Sequence, residues 1–310
     1  MKLTILSVGL LAMSALAAPI TQNNKAAIEI DTKCAFRITY QLIGYLNTGL
    51  IDGAEAECDA QTGAGYAAGI GKFSTKSGNA LAVVDQYIAS PEYKGEFKDV
   101  HDALAKAATE HSVSTDGLSG FCPAWEKAAK SGDSFHMAQV TVIRGSYEKP
   151  MLTLAKALKI KFPLTRAALL STALANGLGD AQAGLGAVIA ATNALFTHSV
   201  KGTSGNRVTI GKFKVDEIVW LGKFLDTLDT LSAGVDTRTA EVFRDIIATG
   251  SYKLDSTTVF QGFDGKQVTL TCKKLTDPAG GNNGNGNGNN GNGNNGGHKC
   301  HKLSPSSVAL

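Results

Sequence analysis

The sequence predicts a mainly α-helical (α+β) domain with a small β element in its first third. Three observations carry that prediction. Apolar residues recur at i, i+3 and i+4 through most of the chain, the spacing that lines one face of a helix. Gly and Pro cut this pattern into pieces of helix length. One stretch, Thr62 to Phe73, abandons the period for small alternating residues, which favours a hairpin or an extended segment.

The elements follow in order. Ala26 to Thr48 is helical, with Ile28, Cys34, Ile38, Leu42, Ile43 and Leu46 on one face and Gly49 as the stop signal. After the Gly-rich segment, Ala80 to Ser90 forms a helix stopped by Pro91, and Val100 to Ala108 forms another. Pro123 opens a helix, as Pro favours the first turn. Ser134 to Ile143, Pro150 to Leu158 and Leu164 to Leu178 are helical, and Asn193 to Ser199 continues the helical run after a Gly break. Gly184-x-Gly186 falls in this Ala-rich run and reads as close helix–helix packing. Lys201 to Arg207 is a polar loop. Val215 to Ala233 is strongly amphipathic, with Ile218, Leu221, Leu225, Leu228 and Leu231 in register. Thr239 to Thr249 is a further helix, and Val268 to Leu270 a short closing strand.

Composition narrows the function. The chain has 310 residues, 43% of them hydrophobic and 18% charged, a balance that excludes wholesale disorder. Net charge is +3, too mild to argue for nucleic acid without a basic cluster. Residues 1–17 read as a secretory signal peptide, with Lys2, an apolar run from Leu3 to Leu11 and the small-x-small site Ala15-Leu16-Ala17. The predicted destination is extracellular, with no membrane anchor. Residues 278–310 contain a block, Gly280 to Gly297, of nine Gly and nine Asn, and are expected to be a flexible tail. The folded domain is expected over 24–277.

Five cysteines in an oxidising compartment imply disulfides with one left over. Cys34 with Cys58 and Cys122 with Cys272 are the expected pairs. Cys300 is the natural remainder, available for a disulfide-linked dimer. No cofactor or metal is expected: His298-x-Cys300-His301 lacks a second ligand group at zinc spacing. His101, His111 and His136 read as surface residues.

The chain carries no nucleophile elbow, P-loop or H-E-x-x-H motif. The acidic group Asp52, Glu55, Glu57, Asp59 stands out between the first helix and the Gly-rich stretch. Glycoside hydrolysis needs two carboxyl groups across a cleft, one to protonate the leaving oxygen and one to activate water or attack. A solvated acidic loop is the alternative reading.

The run Gly63-Ala64-Gly65-Tyr66-Ala67-Ala68-Gly69-Ile70-Gly71-Lys72-Phe73, then Ser77-Gly78-Asn79-Ala80-Leu81 and Val84-Asp85-Gln86-Tyr87, resembles the secreted chitosanases of glycoside hydrolase family 46. Their motif there is approximately D-G-R-G-Y-T-x-G-x-x-G-F, a G-T-G-D-x-L turn and a V-x-x-Y helix. The similarity continues through Trp125 to Lys130, Phe135 to Gln139, Trp220 to Asp226 and Asp236 to Phe243. The resemblance implies a two-lobed, lysozyme-like fold and inverting hydrolysis of chitosan. It also implies losses. The family's general acid falls on Leu46 and its water-activating Asp on Thr62; the Arg of the same motif falls on Ala64, and another family Arg on Leu228. Arg238 survives from the family's buried charge network.

Three functions remain open at this point. One is a hydrolase with acids relocated to the loop, Asp59 as base and Glu57 or Glu55 as acid. Another is a secreted binding protein for chitosan or chitin-like polysaccharide, using Tyr66, Glu57 and Asp59, with Asp52 and Arg238 as further contacts. The third is a structural or interaction protein of the wall.

Overall fold

A computed structural model describes residues 34–181, 183–232 and 238–272. The expectations for the signal peptide, the start of the first helix, the Gly/Asn tail and Cys300 lie outside these residues. Among the described residues, no helix is long and apolar enough to cross a membrane, and no three His, Cys, Asp or Glu side chains are grouped to hold a metal ion.

Helix α1 (Cys34–Thr48) leads into a three-stranded antiparallel sheet in the order β1 (Cys58–Gln61), β2 (Gly65–Ala68), β3 (Phe73–Ser74). Helices α2 (Asn79–Ile88), α3 (His101–Glu110), α4 (Phe121–Ala129) and α5 (Asp133–Ile143) follow. Between them lies an aromatic cluster: Tyr87, Phe121, Trp125 and Phe135 from the helices and Phe97 from the turn before α3 are all fully buried. The Trp125 and Phe135 rings meet edge-on at 4.8 Å, a favoured geometry for aromatic pairs.

A π-helical segment (Arg144–Glu148) joins α5 to α6 (Lys149–Ala157) without a break. Such segments are single-turn insertions into an α-helix. Here the extra turn presents Glu148 to α1: its carboxylate accepts from Tyr40 Oη at 3.2 Å and lies 3.5 Å from Arg144 Nε. Burial, reinforced by Glu148, pushes the Tyr40 phenol well above its ordinary range. Tyr40 therefore stays a neutral donor, and the bond fixes α1 on the long helix.

The rest of the chain builds α7 (Pro163–Asn176), α8 (Leu185–Ala194), the hairpin β4 (Arg207–Ile210) and β5 (Phe213–Asp216), α9 (Glu217–Leu231), α10 (Arg238–Ala248), and the hairpin β6 (Thr258–Gln261) and β7 (Gln267–Leu270). The α1 helix lies along α7 and touches β7. Asp216 caps α9, accepting from the backbone N–H of Ile218 and Val219, the usual use of Asp at a helix start.

The fold class is as predicted, with differences in detail. Among the described residues the β content is three small sheets, and two of them lie beyond the first third. Val215 and Asp216 belong to β5, so α9 starts at Glu217. Helix α8 ends at Ala194, so the expected helix over Asn193 to Ser199 is absent beyond its first two residues. Gly184 and Gly186 serve a helix start, where a Cβ would strike Gly179 O and Asp180 Oδ1, so the close approach is to a loop rather than to another helix.

The cysteine pairing also differs. The bridges are Cys34–Cys272 and Cys58–Cys122. Nearness along the chain misled the expectation. Cys34 opens α1 and Cys272 follows β7, which the fold brings together; Arg37 also donates to Cys272 O at 2.7 Å.

Candidate active site

The acidic loop is held from behind. Trp125 Nε1 and Gln139 Nε2 both donate to Glu55 O, each at 2.9 Å. The same Gln139, fully buried, accepts from Ile70 N at 3.0 Å. A side-chain amide that satisfies two backbone groups in the interior fixes their separation. Gly69 lies against it with φ +69°, and a Cβ there would come within 2.3 Å of Gln139 Oε1 and 2.8 Å of Trp125. Only Gly fits both the angle and the space. The Cys58–Cys122 bridge ties β1 to α4 beside these bonds.

This anchoring makes one wall of a small cleft of about 30 Å3, lined by Thr48, Glu57, Asp59, Ala67, Ala68, Gly69 and Lys72. That is room for a water molecule or two. Thr48 is the last residue of α1, and Gly69 N donates to Glu57 O at 2.8 Å, continuing the β1–β2 ladder. Glu57 and Asp59 are two residues apart, which puts their side chains on the same side of an extended chain. Burial raises the Glu57 carboxyl pKa, the charges of Asp59 and Glu126 raise it further, and Lys72 opposes them. The cleft thus holds a carboxyl group biased towards its protonated form beside a second carboxylate.

The other expected residues are elsewhere. Cross-strand register pairs Asp59 with Ala67 and Ala60 with Tyr66. Paired residues share a face and neighbours alternate, so Tyr66 faces the opposite side of the sheet from Asp59. Its ring packs 5.8 Å from Phe121. Asp52 is exposed and does not line the cleft. Glu55 acts on His136, whose pKa is lowered by burial against the pull of Glu55 and Asp133; His136 is half-buried rather than a surface residue. Leu46 is buried at 8% exposure, and Thr62 is exposed in the turn after β1. Arg238 is exposed at the start of α10, with its guanidinium 4.8 Å above the Phe263 ring.

Lys72, Gln139 and Trp125 went unassigned in the sequence reading. The first had a signal, since a Lys directly after the Gly-rich run can reach back to the acids. The other two act by position alone.

Residues 55–256 match glycosyl hydrolase family 46. A chitosanase of Bacillus subtilis (strain 168) is 32% identical over 188 residues, 60% of this chain and 63% of that protein. The aligned part thus spans under two thirds of that relative's length. The native chitosanase of Bacillus subtilis MY002 superposes with a TM-score of 0.64 at 25% identity, over 77% of this chain and 99% of that one. A mutant of that chitosanase complexed with 6 GlcN gives 0.64 at 26% over the same shares. A Gynuella sunshinyii GH46 chitosanase in complex with chitotetraose gives 0.60 at 23%, over 76% and 97%, and bears on the fold alone.

Proposed function

The chain belongs to glycosyl hydrolase family 46, and we propose from that membership that it holds chitosan-type polymers outside the cell without cutting them efficiently. The observation that carries this reading is the position of the two cleft carboxyl groups. Glu57, just before β1, and Asp59, within it, line the same cleft. Inverting hydrolysis needs its acid and base on opposite faces of the sugar, roughly 6.5–9.5 Å apart with water between. Two groups on one wall do not flank a bond. Leu46 and Thr62, at the positions the family resemblance assigns to the acid and base, carry no group that ionises near neutral pH.

The same wall suits binding. Glu57 feels the charges of Asp59 and Glu126 against that of Lys72, and a glucosamine ammonium entering the cleft would favour its ionised form. Extracellular placement fits the two disulfides, which persist in oxidising surroundings. The raised Glu57 pKa favours a second reading, slow hydrolysis with Glu57 as proton donor and Asp59 as base.

A reducing-end assay on chitosan, run beside calorimetric titration with a glucosamine hexamer, separates them. The expected result is hexamer binding with no sugar release above buffer. Asp59→Asn is expected to weaken binding several-fold. Release that disappears in Glu57→Gln would overturn the binding reading in favour of the second.

A further inference from the structure

A second concavity has the opposite charge. It lies between the end of α6 and the start of α7, has a volume of about 400 Å3, and is lined by Lys156, Lys159, Lys161 and Arg166 over a floor that includes Leu152 and Ile160. No carboxylate lines it. All four cations are exposed, and Leu152 is 38% exposed. The volume falls within the range of roughly 300–1,000 Å3 for sites that enclose a small ligand.

The turn that carries Lys159 and Lys161, between Lys156 on α6 and Arg166 on α7, is braced. Glu217 is fully buried, and its carboxylate accepts from Lys161 N at 3.1 and 3.0 Å and from Phe162 N at 2.8 Å. Arg166 Nη2 donates to Ile160 O at 3.1 Å. Thr209 N, on β4, donates to Leu158 O at 2.8 Å. Lys159 takes φ +59° to turn the chain, a conformation that a residue with a Cβ adopts at a cost. The turn is therefore bonded at Leu158, Ile160, Lys161 and Phe162. The bond to Ile160 O also fixes the guanidinium plane, leaving its other N–H groups to fork an anion.

We propose that this concavity binds an acidic saccharide, one or two sugar units carrying carboxylate or sulfate. Four like charges repel a polyamine such as chitosan and attract an anion. The apolar floor suits the C–H face of a pyranose ring, and the lysine stems extend that floor. A flat bilayer does not enter a concavity, and a nucleic-acid duplex is too wide for this one.

The test titrates the full chain with oligogalacturonate as the carboxylate probe and with a heparin oligosaccharide as the sulfate probe. The variant is Lys159→Gly with Lys161→Gln. Gly relieves the positive φ, and Lys161 uses its backbone N–H, not its side chain, to bond Glu217; an unchanged melting temperature verifies the fold. Binding of either probe that weakens with salt and falls about tenfold or more in the variant supports the site, and which probe binds identifies the anion. The glucosamine hexamer is the control: its affinity should not change in the variant, and its failure to bind at all counts against the chitosan reading alone. Absence of binding to both probes at millimolar concentration overturns the proposal. So does equal affinity in the variant, or binding confined to a DNA duplex or anionic vesicles.

Discussion

The β1 wall and the α6–α7 turn are both charged surfaces on firm supports, but they are supported differently. The wall is held by side chains reaching across the fold: Trp125 and Gln139 to Glu55 O, and Cys122 to Cys58. The turn is held through its own backbone, chiefly by one buried carboxylate, Glu217. Support shared among several groups leaves most of the geometry when one is removed. Where one buried carboxyl group satisfies two adjacent N–H groups, as Glu217 does, its loss strands both, even though Arg166 and Thr209 still bond Ile160 O and Leu158 O.

Three variants break or sharpen this contrast. The largest global effect is expected from Cys58→Ser with Cys122→Ser. A cross-link over 64 residues stabilises by about 4 kcal/mol in the loop-entropy model, read as a lowered denaturant midpoint. The Trp125 and Gln139 bonds should survive, so hexamer affinity at low temperature should stay near the original. Next is Glu217→Ala, which leaves two backbone donors unpaired in the interior; a loss of about 3 kcal/mol is expected. Hydrogen exchange should show opening centred on Lys161 and Phe162, and exchange that stays slow there would refute the leading role given to Glu217.

The smallest effect concerns pH. The folded pKa of Glu57 is raised, chiefly by burial, so the folded state keeps this proton to higher pH than the unfolded chain does. Stability contributed by Glu57 is then lost as pH rises through the window above the ordinary carboxylate range. Glu57→Gln should flatten that slope, measured as melting temperature against pH. A slope unchanged in the variant would assign it to another group. Hexamer affinity should move the other way, rising with pH in the same window as Glu57 ionises.

The helices were legible because their apolar period is long enough to read. Val215 to Ala233 was expected and Glu217–Leu231 is found. The hairpins of β4 with β5 and β6 with β7 were not, apart from the last strand. Each strand has four residues, too few for alternation to stand out from a polar loop. In the site, Glu57 and Asp59 were legible as neighbours with one residue between them. Tyr66 was misplaced because its face depends on which β2 residue pairs with Asp59, and a shift of one residue inverts the answer. The cysteine pairing was illegible for a related reason: Cys34 and Cys272 are 238 positions apart and meet only once the whole domain has closed.

That closure makes the domain a covalent ring. The bridged cysteines lie 4.7 Å apart, Cα to Cα. A single protease cut anywhere between them would leave both pieces attached to one another. The ring can also be reopened elsewhere: a peptide linker across residues 34 and 272, with new termini in the exposed turn at Gly211 and Lys212 between β4 and β5, gives a circular permutant with the same packing. Additions made just before Cys34 or just after Cys272 would depart from one spot on the surface, beside the start of α1, while Thr48, the α1 residue that lines the acidic cleft, stands at the helix's other end.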